Sequence, residues 1–174
     1  MKDLIVISGV AGMTGSETAR RCLEEGRTVL GCDNFFCGSP AVVEELTKLG
    51  LVFFEYDICR ADEMDKFFAV AKRLSVGADR RIFINCAAVV HTKHFYQPEN
   101  TFGVNVLGMR DCFRRCLQAH FHVFLNCSTS EVYSLDSWRP GGVIESSPVL
   151  LATAEQSLRT SYAAGKLMTE FFFA

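Results

Sequence analysis

The sequence has no long uninterrupted apolar run, no surplus of charge of either sign, and no pair of cysteines in a CxxC arrangement. Each absence removes a class of function. Without an apolar stretch near the length of a bilayer-spanning helix, no membrane span is expected. Met1-Lys2-Asp3 followed by Leu4–Val10 resembles the start of a secretory leader, but the apolar run is short. It passes into a glycine-rich turn with no cleavage-like site, so a buried first strand is the better reading. A net charge of −2 gives no basic face for nucleic acid or an acidic membrane surface. The cysteines at 22, 32, 37, 59, 86, 112, 116 and 127 match no zinc-finger spacing. Cys112 and Cys116 lie one helical turn apart, which alone makes a poor site, so no metal is expected. Reduced, mostly buried thiols in a cytoplasmic protein are the reading that follows. Internal repeats and low-complexity linkers are also missing.

What is present is a regular alternation of strand-like and helix-like segments. Leu4–Ser8, Thr28–Cys32, Leu51–Glu55, Arg81–Cys86 and Phe121–Asn126 read as short strands. Between them, Gly12–Glu25, Ala41–Leu49 and Ala61–Leu74 read as helices. Gly26 and Gly50 serve as stop signals for the first two. Pro98 opens a long helix with an apolar stripe of Phe102, Val106, Met109, Phe113, Cys116 and Leu117. A loop rich in turn formers, from Ser134 to about Ala154, holds Trp138, Pro140, Gly141, Gly142 and Pro148. A last helix is predicted over Glu155–Phe173.

Such alternation implies parallel strands joined by right-handed crossovers, and continuously apolar strands imply a sheet covered on both faces. The predicted fold is α/β, a three-layer, doubly wound parallel sheet of Rossmann type, forming one domain over residues 1–174. The final helix ends in Phe171-Phe172-Phe173, where a βα protein normally feeds another strand. The expectation is therefore that the chain is the N-terminal portion of a longer protein.

Gly9-Val10-Ala11-Gly12-Met13-Thr14-Gly15 is a GxxGxxG run at a strand-to-helix junction. Glycines allow a tight turn and close approach to a pyrophosphate, and the helix N-terminus offers its N–H groups and positive dipole end. Asp33 ends the second strand, 18 residues after Gly15. A carboxylate there can accept hydrogen bonds from both adenosine ribose hydroxyls and repels a 2′-phosphate, which favours NAD over NADP.

Tyr162-Ala163-Ala164-Gly165-Lys166 is a YxxxK motif. On a helix, positions i and i+4 share a face. The ammonium can stabilise a nearby phenolate and so make a tyrosine, whose ordinary pKa is about 10, a general base near neutral pH. Asn126-Cys127-Ser128-Thr129-Ser130-Glu131-Val132-Tyr133 follows the fifth strand at its C-terminal end, where ligands bind in open α/β sheets.

Together these motifs resemble the extended short-chain dehydrogenase/reductase family, in its NAD-dependent epimerase/dehydratase branch. The resemblance covers essentially the whole chain in order. It takes in Ser8–Gly15, Asp33-Asn34, Asp57-Ile58, Asn85-Cys86-Ala87-Ala88, Asn105-Val106-Leu107-Gly108, Ser128–Tyr133 and the Tyr162/Lys166 pair. It implies an NAD site formed by Gly9, Gly12, Met13, Thr14, Gly15, Asp33, Asn34, Asp57, Ile58, Ala87, Ala88, Asn105, Tyr162 and Lys166. It further implies a nucleotide-linked sugar, most simply a UDP-sugar, as substrate. Tyr162 is then the base that removes the sugar 4-hydroxyl proton as hydride moves to NAD⁺. Lys166 lowers the tyrosine pKa and holds the nicotinamide ribose, and Thr129 hydrogen-bonds the 4-oxygen. The resulting 4-keto sugar is open to epimerisation, dehydration or decarboxylation. Thr129-Ser130-Glu131-Val132-Tyr133 and Arg159 look like the UDP-glucuronate decarboxylases, which makes Glu131 and Ser130 candidates for the second step.

The chain departs from the family in several places. Met13 and Thr14 replace the usual aromatic region, Ser134 stands where a glycine is expected, and the loop between Ser134 and Arg159 is long. The C-terminal substrate domain is missing, so little or no turnover is expected from these 174 residues alone. His91 and His94 read as solvated loop residues. The alternatives are a non-catalytic NAD-binding module and a carbonyl or steroid dehydrogenase of the same superfamily. In the resembled family the Phe102–Leu117 helix and the Tyr162 helix pair across a dimer. Phe102, Val106, Met109 and Phe113, with Leu158, Leu167 and Met168, suit a homodimer here.

Overall fold

The computed structural model describes residues 2–91, 94, 97–133, 141–153, 155 and 160–173. The chain divides into two compact units: Met1–Ala88 with Gly108–Cys127, and Val89–Leu107 with Ser128–Ala174.

The first unit is a parallel sheet of β1 (Leu4–Ser8), β2 (Thr28–Asp33), β3 (Val52–Glu55), β4 (Arg81–Asn85) and β5 (Val123–Asn126), in the order β3-β2-β1-β4-β5. Helices α1 (Met13–Glu24), α2 (Pro40–Lys48) and α3 (Ala61–Leu74) make the first three crossovers. All five residues of β1 are buried, which is why its sequence is continuously apolar rather than alternating. Period two reappears in what each side chain meets. Ile5 and Ile7 join Val10, Ala19, Val29, Leu46 and Leu51 in an aliphatic cluster, with Ile82 and Ile84 of β4 packed against it. Phe83, between those two isoleucines, stacks instead on Phe68 and Phe124, with centroids 5.7 and 5.3 Å away, and Phe121 meets it edge-on. One face of the central strands is therefore aliphatic and the other aromatic. The right-handed crossover rule assigns α1 and α2 to the first face and α3 to the second. Asp3, 1% exposed, ties the start of β1 to the turn before β4 through two hydrogen bonds from the Arg80 guanidinium, at 2.8 and 3.3 Å.

Strand order sets the position of the ligand crevice. The chain leaves β1 for β2 on one side and returns to β4 on the other, so the order reverses between β1 and β4. Outside the C-terminal ends of those two strands lies the crevice where open α/β sheets bind ligands.

The long helix predicted from Pro98 is instead three pieces: α4 (Pro98–Phe102), a π-helical segment (Gly103–Gly108) and α5 (Met109–Gln118). Glycines bound the π segment, and within it buried Asn105 gives both ends of its side-chain amide to Val89. Its Oδ1 accepts from the Val89 N–H at 2.7 Å, and its Nδ2 donates to the Val89 carbonyl at 3.2 Å. Met109, Cys112 and Cys116 form the buried stripe of α5, but Leu117, counted in the predicted stripe, is 59% exposed. The fifth strand starts at Val123 rather than Phe121, because the Phe121 N–H donates to the Cys116 carbonyl and closes the preceding helix.

The second unit contains α4, most of the π segment, a 3₁₀ turn (Ser130–Tyr133) and α6 (Thr160–Glu170). Among the described residues the last helix is α6. Glu155 lies in a turn, and Phe171–Phe173 follow the helix instead of extending it. Trp138, Pro140, Leu158 and Arg159 lie outside the described residues. Among the described residues, no helix is long and apolar enough to cross a membrane, and no group of three or more His, Cys, Asp or Glu side chains is placed to hold a metal ion.

Candidate active site

The glycine turn between β1 and α1 is shaped by the chain's own backbone at two of its three glycines. Gly9 has φ +74°, a left-handed conformation that favours glycine, and a Cβ there would stand 2.5 Å from the Ala87 nitrogen. A Cβ on Gly15 would stand 2.2 Å from the Gly9 carbonyl oxygen. Gly12 differs. A Cβ there would meet only the Gly9 oxygen, at 3.4 Å, and its φ of −82° is open to any residue. Nothing within the described residues requires glycine at 12. Gly12 is also the N-cap of that helix and supplies no capping side chain. The first N–H groups of a helix have no partner within it, and the positive end of the α1 dipole lies at this turn. Met13, 89% exposed, and exposed Thr14 open the helix that follows.

Asp33 closes the other side of the turn. Its Oδ2 accepts from the Ala11 N–H at 3.0 Å and its Oδ1 from the Phe35 N–H at 2.8 Å, which couples the carboxylate to the glycine turn. Burial raises its pKa, and the backbone N–H groups of Phe35, Ala11 and Asn34 pull the other way. The sequence reading missed Phe35, whose φ of +56° is unusual for a bulky residue. Its N–H bond to Asp33 and its ring contact with Phe53, at 5.5 Å, hold it there. The only signal available was Asp33 two residues earlier, a residue type that favours such turns.

Further along the same edge, exposed Asn34 donates from Nδ2 to Asp57 Oδ2 at 3.0 Å, and the Cys59 N–H donates to Asp57 Oδ1 at 2.8 Å. Ile58 is buried beneath. At the end of β4, Ser8 Oγ donates to Asn85 Oδ1 at 2.6 Å, and Asn85 Nδ2 donates to Asn126 Oδ1 at 2.8 Å. This ladder aligns the ends of β1, β4 and β5. Ala87 and Ala88 follow, half-buried.

In the second unit the structure brings the hydroxyl motif and the YxxxK helix together. The 3₁₀ turn packs against α6. Ser128 Oγ donates to the Glu170 carboxylate, a contact the sequence reading did not anticipate. Thr129 Oγ1 accepts from the Glu131 N–H at 3.2 Å, which leaves the hydroxyl proton to donate elsewhere. Ser130 is exposed and Glu131 half-buried. On α6, Tyr162 is half-buried while Lys166, one turn later, is only 2% exposed. α6 rests on α4, and a Cβ at Gly165 would meet the Phe102 ring at 3.4 Å and Val106 at 3.6 Å, ordinary van der Waals contact. Asn105, expected at the cofactor, is 1% exposed and bonded to the Val89 backbone in the same unit.

A parallel sheet with a glycine turn after its first strand and a buried carboxylate at the end of its second defines a dinucleotide-binding protein of Rossmann type. The chain belongs to the NAD dependent epimerase/dehydratase family, whose sequence profile matches residues 5–172. Among solved structures, it is similar to the UDP-Glc/GlcNAc 4-epimerase of Campylobacter jejuni. The two are 26% identical with a TM-score of 0.76, over 98% of this chain and 47% of that one. It is also similar to Bordetella bronchiseptica WbmG, solved in complex with NAD, at 25% identity and a TM-score of 0.72, over 97% of this chain and 48% of that one. An uncharacterized 37.6 kDa protein of Escherichia coli O111:H- is 26% identical over 140 residues, 78% of this chain and 40% of its own length. The chain thus spans about half the length of the proteins it matches, or less.

Proposed function

We propose that this chain is the dinucleotide-binding portion, residues 1–174, of a cytoplasmic enzyme that modifies a UDP-linked or similar nucleotide-linked sugar through a 4-keto intermediate. The observation that carries the reading is the pairing of half-buried Tyr162 with buried Lys166 on α6, in a chain whose first unit has an intact phosphate turn. The residues suit NAD. Gly12 and the N-terminus of α1 would hold the pyrophosphate, Asp33 would accept from the ribose hydroxyls, and Asp57 and Ile58 would serve the adenine. Ala87 and Ala88 line the approach, and Asn105 acts by holding Val89.

NAD, when bound, supplies a hydride acceptor. Tyr162 takes the proton of the sugar 4-hydroxyl, and Thr129 donates a hydrogen bond to the 4-oxygen. Lys166 lowers the cost of the phenolate. The charge on the Tyr162 oxygen is the quantity the site has to stabilise, and a cation one helical turn away does so most strongly where water is excluded. Glu131, with Ser130 beside it, serves the step after oxidation. Its position in a decarboxylase-like motif favours loss of a C6 carboxylate over 4-epimerisation. Homodimerisation is part of the proposal, with a revised surface. Val106 and Met109 are buried within the chain, Leu158 lies outside the described residues, and half-buried Phe102, Phe113 and Leu167 with exposed Met168 remain to contribute.

The test is product analysis by NMR after incubating the full-length enzyme, of which these residues are the dinucleotide-binding portion, and NAD with UDP-hexoses and UDP-hexuronates. Conversion of a UDP-hexuronate to a UDP-pentose supports the full reading. Conversion of UDP-hexoses alone moves it to epimerisation. No turnover of any nucleotide sugar, under conditions where NAD binds, overturns it.

A further inference from the structure

We propose that Cys86 and Cys127 form a dithiol that closes reversibly to a disulfide, a modification site beside the β1/β4 crevice whose oxidation opposes dinucleotide binding. The two residues follow directly on β4 and β5. Asn85 and Asn126 are register partners, and the Cys127 N–H continues the ladder to the Asn85 carbonyl at 3.1 Å. The sulfurs stand 3.7 Å apart, close enough for one thiol to donate to the other. Neighbouring strands run about 4.8 Å apart, inside the roughly 4.4–6.8 Å between Cα atoms that a disulfide accepts. Closure from 3.7 Å to a bonded S–S distance of about 2.05 Å asks for side-chain rotation and a small approach of the strand ends. The Ser8–Asn85–Asn126 ladder lies one residue below and keeps the pair in register. Both cysteines are half-buried, so a small disulfide can reach them.

The remaining cysteines are less suited to this chemistry. Cys32, Cys112 and Cys116 are buried, and burial pushes Cys112 and Cys59 up to about 12. The reaction is thiol–disulfide exchange with a low-molecular-weight disulfide as oxidant. One protein thiolate attacks a sulfur of the small disulfide and expels a thiolate, which leaves a mixed disulfide on the protein. The second protein thiolate attacks that protein sulfur and expels the second small thiolate. The two protons of the cysteines end on the two small thiols, so the protein loses two electrons and the small disulfide gains them.

Coupling to the dinucleotide follows from contact with the phosphate turn, and it rests on the NAD reading above. The backbone of residues 86 and 87 lies against Gly9: a Cβ on Gly9 would sit 2.7 Å from the Cys86 carbonyl carbon and 2.5 Å from the Ala87 nitrogen. No slack exists there, so a shift of the β4 end toward β5 deforms the opening turn. Linkage then makes the effect reciprocal, and bound NAD resists disulfide closure by the same factor.

The test begins with the reduced protein treated with oxidised glutathione, alkylated and mapped by mass spectrometry. The expected result is a Cys86–Cys127 linked peptide, with loss of two hydrogen atoms, that disappears on reduction. Calorimetry of the oxidised protein is expected to give NAD affinity lower by about fivefold or more. Phenylarsine oxide, a probe that bridges paired thiols, should block linkage in the wild-type protein, which needs no variant to fold. Cys127→Ser should leave Cys86 as a stable mixed disulfide. Recovery of Cys86 and Cys127 as separate alkylated or glutathionylated residues, while exposed Cys37 has reacted, overturns the dithiol. A linked protein that binds NAD as tightly as the reduced one overturns the coupling. If the reduced protein binds no NAD, the dinucleotide reading and the coupling fall together, and the linked peptide alone decides the dithiol.

Discussion

The glycine turn with Asp33 and the hydroxyl motif with the YxxxK helix carry their functional residues in different ways. In the first, the backbone does the work. Gly9 and Gly15 are required by atoms of the chain itself, and the Asp33 carboxylate is fixed by two backbone N–H groups. In the second, side chains do it. Tyr162 and Lys166 share a helix face, Thr129 is held by a local hydrogen bond from the Glu131 N–H, and Ser128 by a long-range one to the Glu170 carboxylate. A backbone site fails by steric conflict, which shows first in stability. A side-chain site can lose one oxygen and keep its fold. The comparison therefore predicts opposite signatures for substitutions in the two regions.

The largest effect is expected at Tyr162. Replacing it by phenylalanine removes the phenolic oxygen that serves as proton acceptor in the proposed mechanism and keeps the half-buried ring. On the proposed mechanism, turnover by the full-length enzyme should fall by about 10²- to 10⁴-fold, the usual worth of a positioned general base. NAD affinity and Tm should stay near the wild-type values. Steady-state kinetics beside calorimetric NAD binding separates the two. A variant that keeps its turnover removes Tyr162 from the base role, and one that loses NAD binding makes the tyrosine chiefly a cofactor contact.

Next in size is a contrast within the turn itself. Gly15→Ala sets a Cβ 2.2 Å from a carbonyl oxygen that cannot retreat without moving Gly9. It should destabilise the protein by about 1–3 kcal/mol, the range for an overpacked, well-ordered site. Gly12→Ala meets no such conflict and should change stability by no more than about 0.5 kcal/mol. If a pyrophosphate occupies the space in front of α1, the same substitution should cost much of the NAD affinity. Denaturant unfolding with and without NAD reads both. Equal destabilisation by the two alanines would show that the three glycines share one structural role, and the argument for an open cradle at Gly12 would fail.

The sequence was most legible where local pattern and function coincide. The five strands and the first three helices were marked by apolar runs and glycine stops. The turn at Gly9–Gly15 with Asp33 was marked by spacing, because a strand–turn–helix junction dictates which residues can stand there. It was less legible where tertiary contacts override periodicity. The apolar stripe from Phe102 to Leu117 runs through a π segment that no propensity announces, and the commitment of Asn105 to Val89 becomes visible only once the two backbones are near each other. Leu117 matched the stripe by spacing yet is exposed, because it lies at the edge of the face that Met109, Cys112 and Cys116 bury. The Ser128–Glu170 bond spans 42 residues of sequence and had no local signal. The left-handed Phe35 was hidden because its conformation comes from the side chain of Asp33 rather than from its own.

The pH dependence at Asp33 sharpens the comparison most, because it asks whether the backbone-held carboxylate serves a ligand. Burial raises the Asp33 pKa in the folded chain above the ordinary aspartate value of about 3.9. The native state then keeps its proton to higher pH than the unfolded chain. Stability from this group is fully present below the unfolded value and is lost as pH rises through the folded one, so at neutral pH the ionised carboxylate is a net cost to folding. NAD binding should run the other way. Ribose hydroxyls donate to the ionised carboxylate, so affinity should rise with pH across the same window and level off once Asp33 is fully charged. Charge-assisted hydrogen bonds are worth about 1.5–3 kcal/mol, so the drop on protonation should be roughly tenfold to a hundredfold. Calorimetry in buffers of different ionisation enthalpy should detect proton release on NAD binding within that window and none near neutrality. Asp33→Asn should flatten the affinity profile at the low plateau. An affinity that does not change across the acid range, or a midpoint at or below the ordinary value, would mean that Asp33 only braces the turn between Ala11 and Phe35, and that the two regions differ less than their geometry suggests.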